Sequence, residues 1–286
     1  MKTGLVSITF RQLSPEDIIQ LCVDNQLDGI EWGGDVHVPP GNAAVAARVR
    51  SLTEQAGLGV AAYGSYYVLN GSATNNKHTF DAVLDSAQAL GAPLIRIWAG
   101  AKSSAQATAQ DWADAIKDSR RLGDMAAAKG VKVAYEYHQG TLTDTNESAM
   151  KLLTEVAHPN VTSFWQPPNG ADFEYCCEGL GNLLMSGRLT SIHAFHWWPG
   201  FKDRHPLAAG AARWQPYLSL VREYDQTVAQ NAAKEQPCPR PDALVPERYV
   251  CLEFVKNDDP ENLVVDAKTL NQWLSELTEN QEHKNL

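Results

Sequence analysis

The chain has 286 residues, 44% of them hydrophobic and 20% charged, which excludes a disordered polymer, and no apolar run reaches the 18 residues of a bilayer-spanning helix. The formal charge of −10 comes without any run of lysines and arginines, so neither a nucleic-acid backbone nor a membrane is an expected partner. What remains is a soluble globular protein of one large domain or two ordinary ones.

The first apolar run, "GLVSITF" (4–10), reads as a strand, since "MKTGLVSITF" is too short in its apolar part and lacks the cleavage site of a secretory leader. "SPEDIIQLCVDNQL" follows as a helix, with Ser14 as N-cap, Pro15 in the first helical position and Glu16 and Asp17 in the first turn. Further apolar runs come at "DGIEWGG" (28–34), "LGVAAYGSYY" (58–67), "APLIRIWAG" (92–100), "VKVAYEYHQG" (131–140), "VTSFWQPPN" (161–169), "LTSIHAFHWW" (189–198) and "RYVCLEFVKN" (248–257). Helical stretches alternate with all eight. That alternation implies parallel strands joined by right-handed crossovers, and runs this continuously apolar fit strands covered on both faces. The expected fold is α/β: a (β/α)8 TIM barrel forming one domain over residues 1–286. An open doubly wound sheet is the alternative, but no G-x-G-x-x-G turn follows the first strand.

The connection at about 199–247, between the seventh and eighth strands, is unusually long. It carries a predicted helix near 211–230 and the proline-bearing "KEQPCPRPDALVPERY", and loops of that length are functional or disordered. Five cysteines, Cys22, Cys176, Cys177, Cys238 and Cys251, make an odd number without CxxC spacing, which fits a reduced, cytoplasmic protein.

In a parallel barrel, side chains at the C-terminal ends of the strands converge on one mouth. Those ends hold Glu31, Glu136 and His138, Gln166 and Asn169, His193 and His196, and Glu253 with Lys256. An unpaired carboxylate within "AYEYH" or "CLEFV" would cost several kcal/mol to bury, so Glu136 and Glu253 are expected to be neutral, paired or bound to a cation. Two glutamates, one imidazole (His193 or His196) and an amide oxygen make a mixed set suited to Mn²⁺, Mg²⁺, Co²⁺ or Zn²⁺. Tyr66, Tyr67, Trp98, Trp165, Trp197 and Trp198 crowd the same ends and suggest apolar walls.

These strand ends resemble the xylose-isomerase-like TIM-barrel superfamily of sugar phosphate isomerases and epimerases, in which a glutamate, an aspartate, a histidine and a glutamate close strands five to eight around one divalent metal. The resemblance implies Glu136, Gln166, His193 and Glu253 as ligands, with Gln166 standing where the aspartate is expected and removing one negative charge from the shell. It implies Glu136 and Glu253 as catalytic acid and base for proton transfer α to a carbonyl. Glu31, His138, Asn169, His196, Arg204 and Lys256 are the implied substrate-binding residues. A small sugar or polyol is the implied substrate, and a homo-oligomer is compatible with it. A polyol or keto-acid dehydratase on the same barrel, or a non-catalytic carbohydrate-binding barrel, is the alternative function. A DNA-repair nuclease of the endonuclease IV type would need more histidine and aspartate ligands.

Overall fold

The computed structural model describes residues 1–71, 76–233 and 248–282. Eight parallel strands close a barrel: β1 (Lys2–Val6), β2 (Gly29–Gly33), β3 (Gly59–Val68), β4 (Leu94–Trp98), β5 (Lys132–Tyr135), β6 (Val161–Trp165), β7 (Leu189–Ala194) and β8 (Tyr249–Leu252). Each pairs with its sequence neighbour, and β8 returns to β1 with Gly4 opposite Cys251. Eight helices ring it: α1 (Pro15–Asp24), α2 (Ala43–Gln55), α3 (Phe80–Leu90), α4 (Ala109–Ala127), α5 (Asn146–Val156), α6 (Phe173–Met185), α7 (Ala211–Ala233) and α8 (Pro260–Glu282). The (β/α)8 expectation holds, and each of the eight apolar runs overlaps a barrel strand, although the first, read as a strand over 4–10, leaves β1 at Val6 and turns into a 3-10 helix over Ser7–Phe10.

The crossovers start where local chemistry tells them to. Ser14 caps α1 and Asp17 returns the bond to the Ser14 backbone, a reciprocal box that satisfies two otherwise orphaned N–H groups. Thr108 with Asp111 does the same for α4, and Asp172 caps α6. Side chains between sheet and helices form the large apolar core, whereas Ala62, Leu94, Ala134 and Phe164 cluster separately from it. Strand side chains alternate faces, so residues two positions further along share that second face. From Leu94, Ala134 and Phe164 this rule leads to Arg96, Glu136 and Gln166. A small apolar layer therefore lies directly beneath a layer of charged and polar groups.

At the start of the long connection Arg204–His205 pairs antiparallel with His196–Trp197, a 3-10 turn spans Leu207–Gly210, and α7 covers the helix predicted near 211–230. Residues 234–247, with Cys238 and most of the proline-bearing stretch, lie outside the described residues. Cys22, Cys176, Cys177 and Cys251 are free thiols, and no helix among the described residues is long and apolar enough to cross a membrane.

Asp266 ties α8 to this connection by accepting the Leu207 N–H at 2.8 Å. Burial pushes its carboxyl up to about 6, and the hydrogen bond only partly offsets this. A carboxyl whose pKa is higher folded than unfolded contributes stability fully below its unfolded pKa and loses it as pH rises through the folded one. Asp266→Asn, which keeps an oxygen for Leu207, is expected to raise Tm by several degrees at pH 7.5 and to leave it unchanged near pH 4. Scanning calorimetry checks this, and equal melting of the two proteins at pH 7.5 would contradict it.

Candidate active site

The barrel mouth holds one continuous network of buried charge. Arg96 of β4, 1% exposed, donates from Nε to Glu31 Oε1 at 2.6 Å and from Nη1 to Glu136 Oε2. The other oxygen of Glu31 lies 3.0 Å from His193 Nε2, and His193 Nδ1 lies 3.0 Å from Gln166 Oε1 and 3.5 Å from Glu253 Oε2. Trp98 adds its indole N–H to Glu136 Oε2 at 2.6 Å. A side chain at position 64 of β3 would displace this network, because a Cβ there would stand 2.7 Å from Arg96 Nη2 and 2.9 Å from Glu31 Oε1.

Proximity sets the charges. Burial alone would push the Glu31 carboxyl up, but Arg96 and then His193 bring it down to about 2. Burial alone would push the His193 imidazole down, yet Glu253 and Glu31 raise it to about 10, which favours the protonated ring while no cation is bound. Glu253 is held below the usual carboxylate range because His193 outweighs its burial.

Glu136, His193 and Glu253 each offer one ligand atom, all within 4.8 Å of one another. Ligation at about 2.1 Å separates neighbouring donors by roughly 3 Å and opposed donors by roughly 4 Å, so small side-chain rotations seat a divalent cation among them. The donor chemistry also fits. Glu31 can hold the His193 Nε2–H and leave Nδ1 as the metal-facing nitrogen, the usual arrangement in which a carboxylate orients a ligating imidazole. A cation held at Nδ1 would require that nitrogen to be free of its proton, so binding would release one. Gln166→Asp would add one charge to this set, and Mn²⁺ is expected to bind about tenfold more tightly to that variant. Titration calorimetry showing equal or weaker binding would remove position 166 from the shell.

Above the network opens a cavity of about 380 Å³ whose walls include Glu136, His138, Asp144, Gln166, Asn169 and Glu253, with Trp197, Phe201 and Phe254 as an apolar side. The chain after β5 is turned into this cavity by two hydroxyls: Thr143 donates to the Glu136 carbonyl at 2.6 Å and Thr141 to that of His138 at 2.7 Å. His138 stacks on Trp98, with ring centroids 4.8 Å apart at 22°. Its Nδ1 lies 2.7 Å from the Gln139 carbonyl. A carbonyl only accepts, so Nδ1 carries the hydrogen and Nε2 is the basic nitrogen.

Four implied substrate contacts lie elsewhere. Glu31 is fully buried, with one oxygen engaged by Arg96 and the other by His193, and it does not line the cavity. His196 sits in the antiparallel ladder beside His205, ring centroids 5.7 Å apart. Arg204 pairs with Asp258 and lies behind the cavity rings Phe254 and Trp197, 4.8 Å and 5.4 Å from their centroids. Lys256 begins a 3-10 turn and, like His196 and Arg204, does not line the cavity. The sequence reading missed Arg96, although a cation inside the apolar run "LIRIW" was as conspicuous as a carboxylate there. It also missed Asp144, which accepts the Ser104 N–H at 3.1 Å just before α5.

The description xylose isomerase-like TIM barrel fits residues 19–230. The chain belongs to that family. Within it, a 3-dehydroshikimate dehydratase of Bacillus anthracis is 28% identical over 249 residues, 80% of this chain and 86% of that protein. The crystal structure of a probable 3-DHS dehydratase from the same organism superposes on this barrel with a TM-score of 0.70 at 20% identity, over 95% of this chain and 99% of that one. The IOLI protein, solved with a zinc atom bound, gives a TM-score of 0.70 at 15% identity, over 97% and 99%. These two structural likenesses speak for the fold.

Proposed function

We propose that this barrel is a metal-dependent dehydratase that removes water from a cyclic β-hydroxy ketone by elimination with a single base. The observation that carries the proposal is the unequal state of the groups at the mouth. Two-carboxylate isomerisation, the reading favoured by the sequence, needs each glutamate to keep an oxygen free for a proton. Glu136 Oε2 already accepts from Arg96 and Trp98, leaving one oxygen for a ligand role and none for proton transfer. His138, by contrast, has its Nδ1–H fixed on a carbonyl and a basic Nε2 in a residue that lines the cavity. With Glu253 beside His193 in the ligand set, His138 is the base in this reading, and one base suffices for elimination.

Glu136, His193 and Glu253, with Gln166 beside them, would hold a divalent cation, and when bound it would supply Lewis acidity toward the substrate's carbonyl oxygen. His138 Nε2 takes the proton α to the carbonyl, the new C=C bond forms, and the C–O bond to the β-hydroxyl breaks. The imidazolium so formed returns its proton to the departing hydroxyl, which leaves as water, and the base is restored. Trp197, Phe201 and Phe254 offer ring faces to a cyclic substrate, and Asp144 and Asn169 on the cavity wall offer hydrogen bonds to its hydroxyls. The 28% identical dehydratase supports this class of substrate. Loss of one water from 3-dehydroshikimate gives a dihydroxybenzoate, whose aromaticity drives the reaction forward. Mass spectrometry after incubation with 3-dehydroshikimate or an inosose and Mn²⁺ is expected to show a product lighter by one water. If neither compound loses water with Mn²⁺, Mg²⁺, Co²⁺ or Zn²⁺, the proposal fails.

A further inference from the structure

Trp98, at the end of β4, touches both halves of the site at once. Its edge gives the indole N–H to Glu136 Oε2 at 2.6 Å. Its face carries the His138 ring in a near-parallel stack, 4.8 Å between centroids and 22° between planes. Trp98 is itself braced, because Tyr66 packs edge-on against it at 5.7 Å. Tyr66 holds a left-handed backbone, φ 56°, where the β3–β4 register shifts between Gly64 and Tyr67, and its hydroxyl accepts from Arg11 Nη2 at 3.0 Å. A bulky residue in that backbone region is strained, and strain of this kind persists where the surroundings over-determine it.

We propose that Trp98 is a positioning residue that couples base to ligand: a single rigid ring fixes Glu136 for ligation by its edge and aims His138 by its face. The inference rests on the reading of His138 as the base and Glu136 as a ligand. Neither contact alone requires tryptophan. Glu136 needs only a donor, and His138 needs only a flat ring. Tryptophan supplies both from one body, so a displacement of either group is transmitted to the other.

The two functions separate by substitution. Trp98→Phe keeps a stacking face and loses the N–H, so Mn²⁺ binding to the cation-free protein, followed by titration calorimetry, is expected to weaken by roughly 10–100-fold, the usual cost of losing a partner behind a ligand. The His138 ring protons, assigned from the NMR signals that vanish in His138→Gln, should keep an upfield position from the ring beneath them. Trp98→Leu loses both contacts. It should show the same fall in affinity, a downfield move of the His138 ring protons, and at saturating metal and substrate a kcat at least tenfold below that of Trp98→Phe with little change in KM.

Mn²⁺ affinity in Trp98→Phe within twofold of the parent would overturn the edge contact. His138 protons of the parent resonating where those of a solvent-exposed histidine do would overturn the face contact, and that measurement needs no variant, so it stands even if Trp98→Leu fails to fold. If no substrate is dehydrated by the parent, the functional reading falls, and the affinity and chemical-shift results still decide the role of Trp98.

Discussion

Replacing His138 by Gln is expected to lower kcat for dehydration by roughly 10²–10⁴-fold, the range that a positioned general base contributes. Glutamine keeps a hydrogen-bonding group near the Gln139 carbonyl but has no basic nitrogen. Mn²⁺ affinity should stay within a few-fold of the parent, because His138 faces the cavity beside the ligand atoms and donates to a backbone carbonyl rather than to any of them. The pairing of a large kcat loss with retained metal binding is what separates a base from a ligand. Steady-state kinetics at saturating Mn²⁺, with calorimetry on the same preparation, reads both. A loss smaller than tenfold would mean that the proton is taken elsewhere.

Replacing Arg96 by Met is expected to lower stability by about 3–5 kcal/mol, because one guanidinium holds two carboxylates that would be left buried without their cation. For a chain of this size that corresponds to a fall in Tm of roughly 5–8 °C. The pair itself need not stabilise the fold relative to an apolar core; the cost lies in removing the cation shared by Glu31 and Glu136, which keep only His193 and the Trp98 N–H respectively. The double replacement Arg96→Met with Glu31→Gln should therefore recover part of the loss. Urea unfolding of the two variants checks this, and a single Arg96→Met protein within 1 kcal/mol of the parent would show that the three groups are not coupled.

The barrel was legible because its signal is repeated. Eight apolar runs with helical spacers constrain one another, and a mistake in any one of them would not have changed the fold. The site was legible where chemistry and position agreed: "AYEYH" and "CLEFV" each place a carboxylate in an apolar strand, and the barrel brings Glu136 and Glu253 to the same network. The choice between His193 and His196 was not available from the pattern. Residues three apart lie on opposite faces of a strand, but which face looks inward depends on register, here His193 opposite Cys251. Beyond Ala194 the chain leaves the barrel for the antiparallel ladder, of which Trp197 lines the cavity and His196 and Arg204 do not. Arg96 was overlooked for a different reason. Ligand chemistry directs attention to carboxylates and imidazoles, whereas a strand-end cation acts by holding them. The part played by Trp98 depends on a cross-strand distance, which no spacing within "LIRIW" encodes.

The most direct test of one-base elimination is to run the reaction in D₂O with Mn²⁺ and a panel of cyclic and open-chain hydroxy ketones, and to follow the whole mixture by NMR. Elimination by His138 predicts that a cyclic β-hydroxy ketone is converted to a product lacking one water, while no compound of the panel is recovered as an epimer or isomer carrying deuterium beside its carbonyl. Recovery of a deuterated epimer or isomer, without loss of water from any compound, would contradict it and return proton transfer to Glu136 and Glu253.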